Sequence, residues 1–179
     1  MNRRSRAINV ALLGLWSLSL LTNISQAAIS AEELQQMENA VPKKAAVEPA
    51  KLRKLLVFDL CGPKGFKHSS IPYWDMALEI MGRKTEAFSV VVSNDMDMFN
   101  PENLKEFDAV CFNNTTRLPF NAESTPELCK SLMDFVKGGK GIVGIHSATD
   151  NFYDWPEAME MMGGKFTGHP WGSGGTWAI

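Results

Sequence analysis

The chain has 179 residues, 45% hydrophobic and 21% charged, enough for one soluble globular domain with a sizeable core. Its formal charge is −2 and its basic residues are scattered rather than striped along one face, which argues against a nucleic-acid partner. The three cysteines, Cys61, Cys111 and Cys129, have no C-x-x-C spacing and read as buried thiols in preference to one disulfide and a spare.

Residues 1–27 are a different material. Arg3, Arg4 and Arg6 precede an uncharged apolar run from Ala7 to Leu21, and Ser25-Gln26-Ala27 supplies small residues for cleavage after Ala27. That order of parts predicts a secretory signal peptide and an exported product, periplasmic or extracellular. The apolar run is shorter than the ~20 residues of a spanning helix, so no stable membrane span is expected after cleavage. Removing the segment takes away three arginines and no acids, which moves the formal charge from −2 to −5. Residues 28–53, rich in Ala, Glu, Lys and Pro, read as a linker or a short, loosely held helix.

The domain proper spans 54–179. The nearly unbroken apolar run Leu55–Leu60 predicts a strand covered on both faces. The loop "CGPKGFKHSS" leads to a predicted helix over Pro72–Met81, with Gly82 as its stop. Phe88–Val92 predicts a second strand, Asn100-Pro101 a helical turn and Asp108–Phe112 a third strand ending in Asn113-Asn114-Thr115-Thr116. The sequon this last run contains carries little weight beside a buried strand. Thr125 and Pro126 open a helix whose stripe is Leu128, Leu132, Phe135 and Val136, closed by Gly138-Gly139. Ile142–Ile145 predicts a fourth strand. Asp154-Trp155-Pro156-Glu157 has the outline of a capping box before a short helix to Met162, and Lys165–Thr167 begins a fifth strand. The sequence then stops after Gly172-Ser173-Gly174-Gly175, as a domain lacking its last strands would. Strands alternating with helices predict a parallel sheet with helices on both faces.

Such sheets bind ligands outside the carboxyl ends of their strands. His68, His146 and His169, all the histidines of the chain, fall on that predicted rim together with Ser147, Asp150 and Asn113–Thr116. Two chemistries suit the set. A divalent metal such as Zn could bind His146 and His169 with a carboxylate nearby. Alternatively the imidazoles serve as general acid and base around a polar substrate. Tyr153 and Trp171 offer aromatic faces to a sugar ring; Trp155 suits either that role or packing at the start of a helix. Gly138-Gly139-Lys140-Gly141 precedes a strand and is not a phosphate loop, and Asp95 and Asp97 lack the rest of a calcium loop.

The block "DFVKGGKGIVGIHSATDNFYDWPEAMEMMGGKFTGHPW" resembles the trehalose-utilisation (ThuA-like) domain family, and "KLLVFDLCGPKGFKHSSIP" and "FDAVCFNNTT" are similar to that family's first and third strands. The resemblance implies a flavodoxin-like α/β fold of the class I glutamine amidotransferase-like kind. It also implies a role in carbohydrate metabolism, in a family whose exported members are common in sugar-degrading bacteria. In the amidotransferases a strand ends in a sharp turn that presents a cysteine nucleophile. Here the similar strand reads Gly144-Ile145-His146-Ser147-Ala148, so His146 takes the thiol position and glutamine hydrolysis is excluded. The expectation is a sugar-processing hydrolase or lyase acting on trehalose or a keto-sugar. His146, His169, His68 and Asp150 would be catalytic, with Asn113, Asn114, Thr115, Ser147, Tyr153 and Trp171 against the sugar. The alternative is a non-catalytic carbohydrate-binding or scaffold module.

Overall fold

The structure is a computed structural model that describes residues 29–170. The predicted leader over 1–27, Trp171 and the glycine run 172–175 lie outside the described residues. Among the described residues no helix is long and apolar enough to cross a membrane.

Four strands, β1 (Arg53–Phe58), β2 (Phe88–Ser93), β3 (Ala109–Asn113) and β4 (Gly141–Ile145), form an all-parallel sheet in the order β2-β1-β3-β4. The chain steps from β1 to one side for β2 and returns to the other side for β3. The reversal of strand order therefore falls between β1 and β3, where an open α/β sheet forms its crevice. This is the parallel sheet expected from the alternating pattern, with the flavodoxin-like architecture that the family resemblance implies.

Right-handed crossovers put helices on opposite faces according to the direction of each step. Helix α2 (Ile71–Thr85) covers one face; α3 (Pro101–Leu104) and α4 (Pro126–Lys137) pack together on the other. Strand side chains divide accordingly. Leu56, Phe58, Val110 and Phe112 join Leu104 and Leu132 in the main core, while Val57 and Cys111 point the other way, toward α2. Phe58, Phe99, Phe112 and Phe152 are fully buried and meet mostly edge to face, at centroid separations of 4.8 to 6.4 Å. Each such ring contributes about 1.5–3 kcal/mol by leaving water.

Residues before β1 form α1 (Ala31–Ala40), started by a capping box between Ser30 and Glu33. It docks on α2: the Tyr73 hydroxyl donates to Glu33 Oε1 at 2.8 Å, and Arg83 pairs with Glu38.

Several local expectations are corrected. Gly82 does not stop α2, which runs on to Thr85 and ends at Glu86 in a left-handed conformation, φ 53°. Gly82 is instead a close-packing position, since a Cβ there would sit 2.6 Å from the Phe88 carbonyl oxygen. The start of α5 (Pro156–Met162) has no capping box, because Trp155 takes the cap position without a side-chain hydrogen bond. Trp155 is itself buried between Phe120 and Phe152, so it packs rather than greets a sugar. No fifth strand forms at Lys165–Thr167; this segment is tied down by the Phe166 N–H donating to the Thr149 carbonyl at 3.2 Å. The three cysteines are free thiols, Cys111 and Cys129 buried and Cys61 half-buried.

Candidate functional site

Three loops leave the carboxyl ends of β1, β3 and β4 and meet over the crevice. The first is held close by glycine. Gly62 N–H donates to the Thr116 carbonyl at 2.8 Å, and a Cβ on Gly62 would lie 1.7 Å from the Arg117 carbonyl oxygen. Thr116 Oγ1 donates in turn to the Phe66 carbonyl at 3.0 Å, so the loop after β1 is fastened to the loop after β3. The loop after β1, the turn after β4 and the segment after α5 line a cavity of about 350 Å³. His68, His146 and His169 line it with Ser147, Thr149 and Asp150, and Phe66 and Phe166 supply apolar walls. The sequence-predicted histidine rim is thus gathered around one space at the small end of ligand-pocket sizes.

His146 follows β4 directly and opens a 3₁₀ turn over His146–Thr149 at φ 53°. A non-glycine residue held left-handed costs of order 1–3 kcal/mol and needs surroundings that over-determine it. Those surroundings are a chain of hydrogen bonds. His146 Nδ1 lies 2.9 Å from Asn114 Oδ1, which also accepts from Ser70 Oγ at 3.0 Å. Asn114 Nδ2 donates to Asn113 Oδ1 at 2.6 Å. Asn113 Nδ2 donates to the Ile71 carbonyl at 3.0 Å and to Asp75 Oδ1 at 2.8 Å. Each amide's direction is set by its partners, and an oxygen facing Nδ1 requires Nδ1 to carry the hydrogen. In the neutral form of the ring the lone pair then sits on Nε2.

The electrostatics favour a neutral His68. The rings of His68 and His146 meet edge to face at 4.4 Å. Burial pushes the His68 pKa down and the neighbouring His146 pushes it further, against a smaller upward pull from Asp150. Asp150 is paired with Arg117 Nε at 3.3 Å and accepts a hydrogen bond from the Tyr153 hydroxyl. Arg117 also stacks over the Tyr153 ring, 4.0 Å from its centroid. Behind the wall, burial raises the Asp59 carboxyl and pushes Asp75 up to about 6.

The expected substrate-contacting residues divide. Ser147 lines the cavity, and its buried Oγ has no hydrogen-bond partner among the described residues. Asn113, Asn114 and Thr115 do not face the cavity. All three are 0% exposed and form the scaffold that holds His146 and the turn beyond it, which also removes Asn114 as a glycosylation acceptor. Tyr153 stands behind Asp150 and orients it rather than presenting a face to ligand. Sequence reading missed Phe66 and Phe166, Asp75, and Asn151. The fully buried amide of Asn151 donates to Thr115 O, Thr115 Oγ1 and Ala148 O and accepts from Leu118 N–H.

A metal site asks for three or more donors. Among the described residues no group of three or more His, Cys, Asp or Glu side chains is arranged to hold an ion.

A parallel flavodoxin-like sheet with a polar cavity at its switch point, and a histidine on the sharp turn after β4, defines the class of this domain. The family model described as ThuA, trehalose utilisation, matches residues 54–178, and the chain belongs to that family. Membership ties the chain to carbohydrate metabolism. No curated protein and no solved structure matches it.

Proposed function

We propose that this chain is an exported enzyme that processes trehalose or an oxidised, keto-type sugar by general acid–base chemistry in the cavity between His68, His146 and His169. The observation that carries the reading is the hydrogen-bonded chain fixing the His146 tautomer, with Nε2 unpartnered among the described residues on a ring that lines the cavity. A base so oriented takes a proton from a sugar hydroxyl or from a carbon beside a carbonyl. The proton taken makes His146 an imidazolium, which is the acid that returns it to the leaving oxygen, with the neutral His68 ring against its edge. The Asp150 carboxylate offers a polar partner for ring hydroxyls, and Phe66 and Phe166 offer faces for the C–H side of the sugar. Export rests on the leader pattern of residues 1–27.

The test is turnover of trehalose and of its keto derivative by the full chain, with metal content measured alongside. His146→Gln is expected to lower kcat by about 10²–10⁴, the usual share of a general base, while sugar affinity changes little. Saturable sugar binding without turnover in the unaltered protein would establish the non-catalytic binding module instead.

A further inference from the structure

We propose that Asp75 is a positioning residue for this cavity: through Asn113 and Asn114 its carboxylate dictates which ring nitrogen of His146 carries the hydrogen. The starting point is an ambiguity built into the chain of partners. An asparagine side chain accepts with one end and donates with the other, and its two ends have nearly the same shape. Two asparagines in series can therefore run in either direction. In one, Asn114 presents its oxygen to His146 Nδ1; in the other it presents its NH₂, and the imidazole must shift its hydrogen to Nε2. Only an anchor that cannot donate breaks the tie.

Two such anchors meet Asn113, and both belong to the first turns of α2. They are the Ile71 carbonyl, 3.0 Å from Nδ2, and Asp75 Oδ1, 2.8 Å from the same nitrogen. Turning Asn113 around would set its oxygen against both. The carboxylate is the stronger constraint, because a charge-assisted bond is roughly twice as strong as a neutral one and polarises the bonds beyond it. Geometry brings these groups to one spot. Asn113 is the last residue of β3 and shares a sheet face with Cys111, the face covered by α2. The other charged groups around Asp75 are Asp59 at the end of β1 and Glu79 one turn further along α2. At neutral pH Asp75 is ionised and so acceptor-only, since burial raises it only to about 6.

The effect on the ring stands by itself; its consequence for turnover rests on the acid–base role given above to His146. The experiment reads the two separately. The full chain is labelled with ¹⁵N-histidine and the tautomer of each ring is read from two-bond ¹H–¹⁵N correlations at pH 8, with the signals of His146 assigned by their loss in His146→Gln. In the unaltered protein His146 is expected as the Nδ1–H form, opposite to the preference of a free side chain. Asp75→Ala is expected to shift the Nδ1–H to Nε2–H ratio toward Nε2–H by about tenfold, through the loss of one charge-assisted bond. Asp75→Asn keeps the shape and an acceptor, so it shifts the ratio the same way by less. Glu79→Gln leaves the ratio unchanged. A general loosening of the fold would broaden all three histidines rather than convert one. An unaltered His146 in the Nε2–H form, or a ratio that neither Asp75 variant moves, overturns the proposal. A ratio that moves as expected in a protein with no turnover supports the role of Asp75 and removes the acid–base function.

Discussion

Replacing Asp75 by asparagine also isolates what this carboxylate costs the fold. Burial is the main cause of its rise from an ordinary 3.8 to about 6; the Asn113 amide opposes that rise, and Asp59 and Glu79 reinforce it. The folded protein therefore holds the Asp75 proton more tightly than the unfolded chain does. Its contribution to stability is fully present below about pH 4 and is lost as pH rises through about 6. Above that window the ionised group is a net burden. At 1.36 kcal/mol per pKa unit the full rise corresponds to about 3 kcal/mol. Asp75 is only half-buried, and solvent screening reduces this to about 1–1.5 kcal/mol. Asp75→Asn removes the charge and keeps an oxygen able to accept from Asn113. It is expected to be more stable than the unaltered protein by about 1 kcal/mol at pH 8, with the difference vanishing toward pH 4. Urea denaturation of both proteins at pH 4, 6 and 8 measures this, since unrelated titrations cancel in the comparison. A variant equally or less stable at pH 8, or a difference that does not depend on pH, would refute the reasoning.

Asn151→Ala strands the Leu118 N–H and the Thr115 and Ala148 carbonyls in a buried setting, and is expected to lower stability by about 3–5 kcal/mol in chemical denaturation. A loss below about 1 kcal/mol would show that the site wall does not depend on this amide. Gly82→Ala, which in an exposed helix interior would stabilise by about 0.5–1 kcal/mol, is expected here to lower the melting temperature. The new Cβ would meet the Phe88 carbonyl oxygen at 2.6 Å, so a raised melting temperature contradicts the packing. His146→Gly relieves a left-handed residue and is expected to leave stability unchanged or raise it by about 1 kcal/mol while abolishing turnover. A clear fall in stability would mean that His146 holds the fold rather than serving the cavity.

The strands were legible as apolar runs, whether buried, as Leu56–Phe58 of β1 and Val110–Asn113 of β3 are, or open, as at β4, where Val143 is 48% exposed. Leu55–Leu60, Asp108–Phe112 and Ile142–Ile145 all lie within two residues of the strands that form. His68 and His146 were legible because, once the strands are placed, topology brings the loops after β1 and β4 to one edge; His169 follows α5 without the expected fifth strand and reaches the cavity on the segment tied to Thr149. What could not be read was which polar residues face outward from that edge. Asn113, Asn114 and Thr115 have the composition of ligand-contacting groups, yet the hydrogen bonds that satisfy them come from residues far away in sequence, Asp75 and Asn151 among them. One-dimensional pattern carries no trace of those pairings. On a helix such as α2, a carboxylate at position 75 reads as part of a solvated face. Gly82 was misread for the same reason, since a glycine near the predicted end of a helix looks the same whether it ends the helix or admits a neighbouring strand. The polar wall is therefore the informative part of the structure. A fold optimised for stability alone would not keep a carboxylate half-buried beside like charges, nor a histidine at φ 53°. Both costs fall on one connected set, Asp75, Asn113, Asn114 and His146, which ends on an imidazole that lines the cavity.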